Sequence, residues 1–225
     1  MPELPEVETV RAGLVKNVVG KKIIAVKQLH PRALREDSLN KLHVFKNSKI
    51  KAVNRRGKFM WLEFDRPEVL VAHLGMSGQF KIQKAKSERE AHLRAYFELS
   101  NGKELRFVDQ RTFGWLCVDE LVDGVPQIVS HIATDLFDPD FDKKSVVKKI
   151  ASKKGQIKKV ILDQEVLSGI GNIYADEALW YARIHPEKAA NDLTSTQILN
   201  LITAAEKVMR RALKAGGTSF DELYI

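Results

Sequence analysis

Ile132-Ala133-Thr134-Asp135-Leu136-Phe137-Asp138-Pro139-Asp140-Phe141-Asp142 divides the chain into two kinds of text. Its aspartates and Pro139 interrupt any helical or strand periodicity, which marks a connector. Before it lie short β-like runs at 22–28, 50–54, 58–64, 69–74, 80–82, 94–99, 104–108 and 114–118, separated by turns such as Ser100-Asn101-Gly102-Lys103. So many short strands with tight turns predict a β-sandwich. After the connector the text is helical: a Lys-rich stretch from 143, a second from Ile157, a third from Asn172 to Ala182, and a long helix from Thr194 to Ala215. The last carries apolar Ile198, Leu201, Ile202, Ala205, Met209 and Leu213 at helical spacing. Thr194 and Gln197 fit a capping box at its start, and Gly216 a stop.

At the other end, Val7, Val10, Leu14 and Val18 follow a helical period, with glutamates in the first turns and Gly20 as the stop. A helix over 4–17, packed on the sandwich, is expected. The sequence therefore predicts a multidomain α+β protein. An N-terminal β-sandwich with flanking helices occupies 1–131, a linker 132–142, and an all-α domain 143–225.

With 225 residues, 44% of them hydrophobic, the chain can bury a substantial core. Lys and Arg outnumber Asp and Glu by 37 to 29, a formal charge of +8 with a pI near 9.5. That balance suits a polyanionic partner, although a ribosomal protein or a basic metabolic enzyme shares it. Cys117 is the single cysteine, which excludes an internal disulfide framework and a cysteine-based zinc site and points to a reducing, cytoplasmic compartment. No stretch approaches the ~18 apolar residues of a membrane span, so no membrane partner is expected. Glu3, Glu6 and Glu8 stand where a signal peptide would be basic and apolar.

Chemistry is suggested first by Met1-Pro2-Glu3-Leu4-Pro5-Glu6-Val7-Glu8. Removal of Met1 before a small second residue leaves Pro2 with a free secondary amine. Such an amine can attack a sugar C1′, and the product is a cationic iminium, an electron sink that acidifies the neighbouring C2′ hydrogen. Glu3 beside it could move protons. Taken alone, the same residues describe an ordinary helix start better, because proline and acids are both favoured in a first turn.

In Gly169-Ile170-Gly171-Asn172, glycines allow a tight turn close to a phosphate, and the helix that follows offers free backbone N–H groups at its positive end. A G-x-G by itself is often only a turn. The lysine pairs at 143/144, 148/149, 153/154 and 158/159 fit a solvated helix face equally well.

Together the motifs are far more specific. The N-terminal ten residues, Arg55-Arg56-Gly57-Lys58, His73-Leu74-Gly75-Met76-Ser77-Gly78, Asp109-Gln110-Arg111-Thr112-Phe113-Gly114 and Gly169-Ile170-Gly171-Asn172-Ile173-Tyr174-Ala175-Asp176-Glu177 occur in that order. In this the chain resembles the formamidopyrimidine-DNA glycosylases over nearly its whole length. The resemblance implies an N-terminal β-sandwich, a C-terminal helix-two-turn-helix domain, and double-stranded DNA bound between them by a monomer in the bacterial cytoplasm.

It also implies an activity: a base-excision repair glycosylase and abasic-site lyase removing 8-oxoguanine and formamidopyrimidines opposite cytosine. Pro2 becomes the Schiff-base nucleophile, Glu3 the proton donor, Lys58 a second acid for elimination, and Glu6 a supporting residue. Met76, Arg111 and Phe113 match residues inserted where the damaged nucleotide leaves the stack, a hole that a thioether, a guanidinium and an aromatic ring can fill. His73 and His92 match positions near the DNA backbone, as do Lys153, Lys158, Gly171 and Asn172. Without the family match, Met76 and Phe113 read as core and Lys58 as part of a solvated basic turn.

The pattern departs from the family at its end. Members continue into a loop over the flipped base and a four-cysteine zinc finger, whereas this sequence stops at Ile225 with one cysteine. A truncated or partial chain without a cofactor is the expectation, a naturally finger-less member the alternative, and DNA affinity and δ-elimination should suffer most. The competing readings are endonuclease VIII, whose branch carries a glycine after the Pro-Glu pair and against which Leu4-Pro5-Glu6-Val7-Glu8 argues, a non-cleaving lesion-binding protein, and a general basic RNA-binding protein.

Overall fold

The computed structural model describes residues 2–35 and 41–216. Met1, the stretch around Thr218 and Ser219, and the chain end at 220–225 lie outside the described residues. Helix α1 (Leu4–Val18) leads into strands β1 (Ile23–Gln28), β2 (Ile50–Arg56), β3 (Phe59–Phe64), β4 (Arg66–His73), β5 (Gly78–Lys84), β6 (Leu93–Leu99), β7 (Lys103–Asp109), β8 (Trp115–Val122) and β9 (Val125–Pro126). Helices α2 (Lys143–Ala151), α3 (Ile157–Leu162), α4 (Asn172–Ala182) and α5 (Ser195–Lys214) follow.

The strands form two antiparallel sheets, ordered β1-β6-β7-β5 and β2-β3-β4-β8-β9. Alternation along each strand puts one set of side chains between the sheets. Met60 and Leu62 of β3, Leu70 and Ala72 of β4, and Leu116 of β8 meet Phe97 of β6 and Leu105 and Phe107 of β7 there, with Val7, Val10 and Leu14 of α1 closing the core. The second sheet is also covered on its outer side, where Trp61, Val71 and Cys117 pack under Val129 and Ile132. The expected sandwich is thus present, and the short pairing of β9 with β8 is the strand that periodicity did not foresee.

The helices enclose a second core built from Ile150, Ile157, Ile161, Tyr174, Ala178, Ile198, Leu201, Ile202 and Met209. Leu4, from the very start of the chain, belongs to this helical core and not to the sandwich. Asp142 accepts the N–H groups of Lys144 (2.9 Å) and Ser145 (3.2 Å), so the connector's last residue is the cap of α2. At α5, Thr194 Oγ1 accepts from Gln197 N (3.2 Å) and Gln197 Oε1 from Thr194 N (2.9 Å), the capping box expected from the sequence. Gly216, at φ +84°, takes the left-handed conformation of a helix stop.

The connector is built into the fold: Asp135 and Leu136 are both buried. Among the described residues no helix is long and apolar enough to cross a membrane.

Candidate active site and nucleic-acid interface

The loop before α4 folds back onto the chain's first residues. Gln164 shapes it, accepting from Gly169 N (2.9 Å) and donating to Ile170 O (3.0 Å), and Leu4 N–H donates to Gly169 O (3.0 Å). Gly169 sits at φ +89°, and a Cβ there would lie 2.9 Å from that of Leu4. At Gly171 a Cβ would come within 2.4 Å of the Glu3 carboxyl group. Only glycine fits between these two segments.

Glu3 uses this closeness. Its carboxylate accepts the N–H groups of Gly171 (2.7 Å), Ile173 (3.0 Å) and Tyr174 (3.3 Å), so Glu3 caps α4 from the opposite end of the chain. This corrects the expectation that the first turn of α4 keeps free N–H groups for a phosphate: a carboxylate already takes those of Gly171, Ile173 and Tyr174. Exposed Asn172 keeps its side chain at the surface of that turn.

Glu6 completes the arrangement. One of its oxygens accepts Glu3 N–H (2.9 Å) and the other the Tyr174 hydroxyl (2.7 Å). Burial and the neighbouring Glu6 and Glu3 carboxylates push the Tyr174 phenol up. Burial pushes the Glu3 carboxyl up as well, and the three backbone donors and the Lys58 ammonium only partly offset it. Pro2, itself buried, immediately precedes this carboxyl group.

Lys58 enters from the β2–β3 turn and is 7% exposed, so the turn is not the solvated basic one that composition suggests. Burial pulls its ammonium down and Glu3 opposes that. The turn is fixed by Arg55, whose guanidinium reaches Glu8 (2.9 Å) and Asp135 of the connector (2.5 Å). Asp135 also accepts from Gly57 N (2.9 Å) and Phe137 N (3.0 Å). Gly57 has φ +55°, and a Cβ there would lie 2.8 Å from Ser168 Oγ. The turn carrying Lys58 and the loop carrying Gly171 are therefore pressed directly together.

His73, at the end of β4, stacks on Phe59 and Trp115 (centroids 4.9 and 5.7 Å away). Its Nδ1 accepts from Gly75 N (3.2 Å), which leaves Nε2 as the protonated nitrogen of a neutral ring. Burial, with Lys58 nearby, lowers its pKa to about 4.

Beyond His73 two loops stand out of the sheet. Met76 is 46% and Phe113 58% exposed, and the Arg111 guanidinium lies 3.6 Å from the Met76 sulfur. Core positions would be buried, so these side chains are not core. Buried Asp109 joins the loops: it accepts the Ser77 hydroxyl and the N–H groups of Arg111 (3.2 Å) and Gly114 (2.7 Å). Gly75, at φ +60°, allows the close approach, since a Cβ would meet Gly114 N at 2.4 Å.

The remaining residues stand apart. His92 is half-buried, and its carbonyl accepts from Asp109 N (3.0 Å). Lys153 is exposed just past α2. Lys158 is ion-paired with Asp176 (2.7 Å), so its charge is shared within the protein. Asp109, Asp135, Gln164 and Tyr174 were not singled out from the sequence. Asp109 and Tyr174 lie inside the quoted motifs, but their roles appear only when distant segments meet.

Among the described residues, no group of three or more His, Cys, Asp or Glu side chains is placed to hold a metal ion. Cys117 is buried within β8.

The family model for the formamidopyrimidine-DNA glycosylase N-terminal domain matches residues 1–116, and that for its helix-two-turn-helix domain matches 132–222. A formamidopyrimidine-DNA glycosylase of Corynebacterium glutamicum strain R is 48% identical over the whole chain and 82% of its own length; one from Rhodococcus erythropolis is 50% identical, over 81% of its length. Lactococcus lactis Fpg in complex with abasic-site DNA superimposes with a TM-score of 0.88 at 33% identity, covering 96% of this chain and 81% of that one. MutM in complex with carbocyclic 8-oxo-G DNA gives 0.86 at 33% identity, covering 97% and 83%.

Fold, site and likeness together define a DNA glycosylase of base excision repair. Within that class, the chain belongs to the formamidopyrimidine-DNA glycosylase family.

Proposed function

We propose that this glycosylase removes oxidised purines, 8-oxoguanine and formamidopyrimidines, from duplex DNA and then cleaves the strand at the resulting abasic site. The observation that carries the reading is the buried Glu3 carboxyl, next in sequence to Pro2 and held by the backbone of α4. Burial favours its protonated form, and a protonated carboxyl beside the anomeric carbon can deliver its proton to the departing base.

In this mechanism the Pro2 nitrogen bonds to C1′ as the glycosidic bond breaks, and the bonding pair leaves on the base, which takes the proton of Glu3. The Pro2 nitrogen gives up its own proton, and opening of the C1′–O4′ bond, with a proton delivered to O4′, yields the iminium. Loss of the acidified C2′ proton then expels the 3′ phosphate, and a second elimination expels the 5′ phosphate. Lys58 is the second acid: burial lowers its pKa, so its proton is more readily given to a leaving oxygen. Glu6 and Tyr174 hold Glu3 in place, while Met76, Arg111 and Phe113 occupy the gap left by the extruded nucleotide. His73, His92, Lys153, Lys158 and Asn172 serve the phosphate backbone. The reading calls for no cofactor, because the proline amine itself becomes the electron sink.

We assign catalysis to 1–131, joined through 132–142 to a DNA-binding helix-two-turn-helix domain over 143–225, and the protein acts as a monomer in the bacterial cytoplasm. Relatives crystallised with abasic-site and 8-oxo-G DNA support the substrate class, and a purely lesion-binding role has no comparable support. Side-by-side incision of duplexes carrying 8-oxoguanine opposite cytosine or thymine glycol tests it. Preferential cleavage of the oxidised purine is expected; preference for the pyrimidine overturns the assignment.

A further inference from the structure

Phe59, His73 and Trp115 are direct neighbours across β3, β4 and β8. Their rings form one row on a single face of the sheet, and Arg35 closes it with its guanidinium carbon 5.1 Å over the Trp115 ring. Backbone contact fixes the residue there, since Arg35 N–H donates to Leu116 O (3.1 Å) at the edge of β8.

Arg35 differs from four of the described arginines near the sheets, while Arg89 resembles it in lying over the ring of Tyr96. Arg11, Arg55, Arg66 and Arg106 are each tied to carboxylates. Arg35 is exposed, and no described carboxylate pairs with it. A guanidinium held over an indole can still direct N–H groups outward, which suits a phosphate. The row starts beside Lys58, and the loops of Met76 and Phe113 leave from its strand ends.

We propose that Arg35, held by Trp115, is a further DNA-phosphate ligand that extends the line of Lys58 and His73 along one strand of the duplex. The proposal rests on the glycosylase reading. The bland alternative is that Arg35 merely shields the indole from water.

Counterion release separates the two. Binding of a duplex containing the tetrahydrofuran abasic analogue, measured against salt concentration, should lose about 0.9 of its log-log slope in Arg35→Gln. Affinity should fall several-fold at low salt, and Arg35→Lys, which keeps the charge, should retain the slope. An unchanged slope in Arg35→Gln overturns the proposal even if affinity or melting temperature drops, because lost packing releases no counterions. Failure of the unaltered protein to prefer the analogue over undamaged duplex would instead strike the glycosylase reading itself.

Discussion

Glu3 Oε2 accepts the backbone N–H of Gly171 at 2.7 Å, a contact between residues 168 positions apart. Through it the residue that follows Pro2 is also the cap of a helix in the other domain, so the proposed proton donor, nucleophile and DNA-binding helix share one anchor. Glu3→Gln keeps an acceptor for part of this cap but has no proton of carboxylic strength to give. Excision of 8-oxoguanine should fall by roughly 100-fold to 10,000-fold. Borohydride capture on a preformed abasic site, where no base has to leave, should fall far less. Equal losses in both assays would contradict the assigned role.

Gly171→Ala tests the same contact from the other side. The backbone there is extended, at φ −122°, so alanine brings no conformational strain, only a Cβ 2.4 Å from the Glu3 carboxyl. Displacing that carboxyl by a fraction of an ångström to an ångström should cost about 100-fold in excision rate. Melting temperature should drop only a few degrees, reflecting the weakened cap. Wild-type excision in this variant would show that the placement of Glu3 is not demanding.

Much of this architecture was legible in advance. Strand alternation, the helix over Asn172–Ala182 and the Thr194–Gln197 cap depend on neighbours in sequence, and periodicity records those. What brings Glu3 to Gly171, or Asp135 to Arg55 and Gly57, depends on two domains meeting, and no local pattern encodes it. The residues of the N-terminal motif were readable as chemistry only through the family resemblance, since a proline and glutamates in a first turn equally describe a plain helix start. The same limit explains the α4 N–H groups expected to be free, which a residue near the opposite end of the chain occupies.

His73 makes folding sensitive to acid. Burial, and secondarily the Lys58 ammonium, depress its pKa from 6.5 to about 4. The unfolded chain therefore takes up the proton first, and stability is full above pH 6.5 and is lost as the pH falls through about 4. The loss is on the order of 3 kcal/mol. Urea midpoints should decline across this window, and His73→Asn, which keeps an acceptor for Gly75 N–H, should flatten the decline. An identical pH profile in the variant would refute the assignment.

Asp109→Asn should loosen the loops of Met76 and Phe113 together. The amide retains one acceptor oxygen for the Ser77 hydroxyl and the Arg111 and Gly114 N–H groups, and sets an N–H₂ against the others. A destabilisation of about 1–3 kcal/mol is expected from a buried donor left unpaired. Affinity for abasic duplex should fall with it, through Met76, Arg111 and Phe113. A stable variant with unaltered binding would mean that Asp109 does not set the loops.

The proposed mechanism stands on a covalent bond from the Pro2 nitrogen to C1′ of the damaged nucleotide. Borohydride reduction of the protein on an abasic duplex, followed by mass analysis of the N-terminal peptide, tests it directly. A stable adduct on Pro2 is expected in protein whose Met1 has been removed, and none where Met1 is retained. An adduct on a lysine, or no adduct from the processed protein, would contradict it.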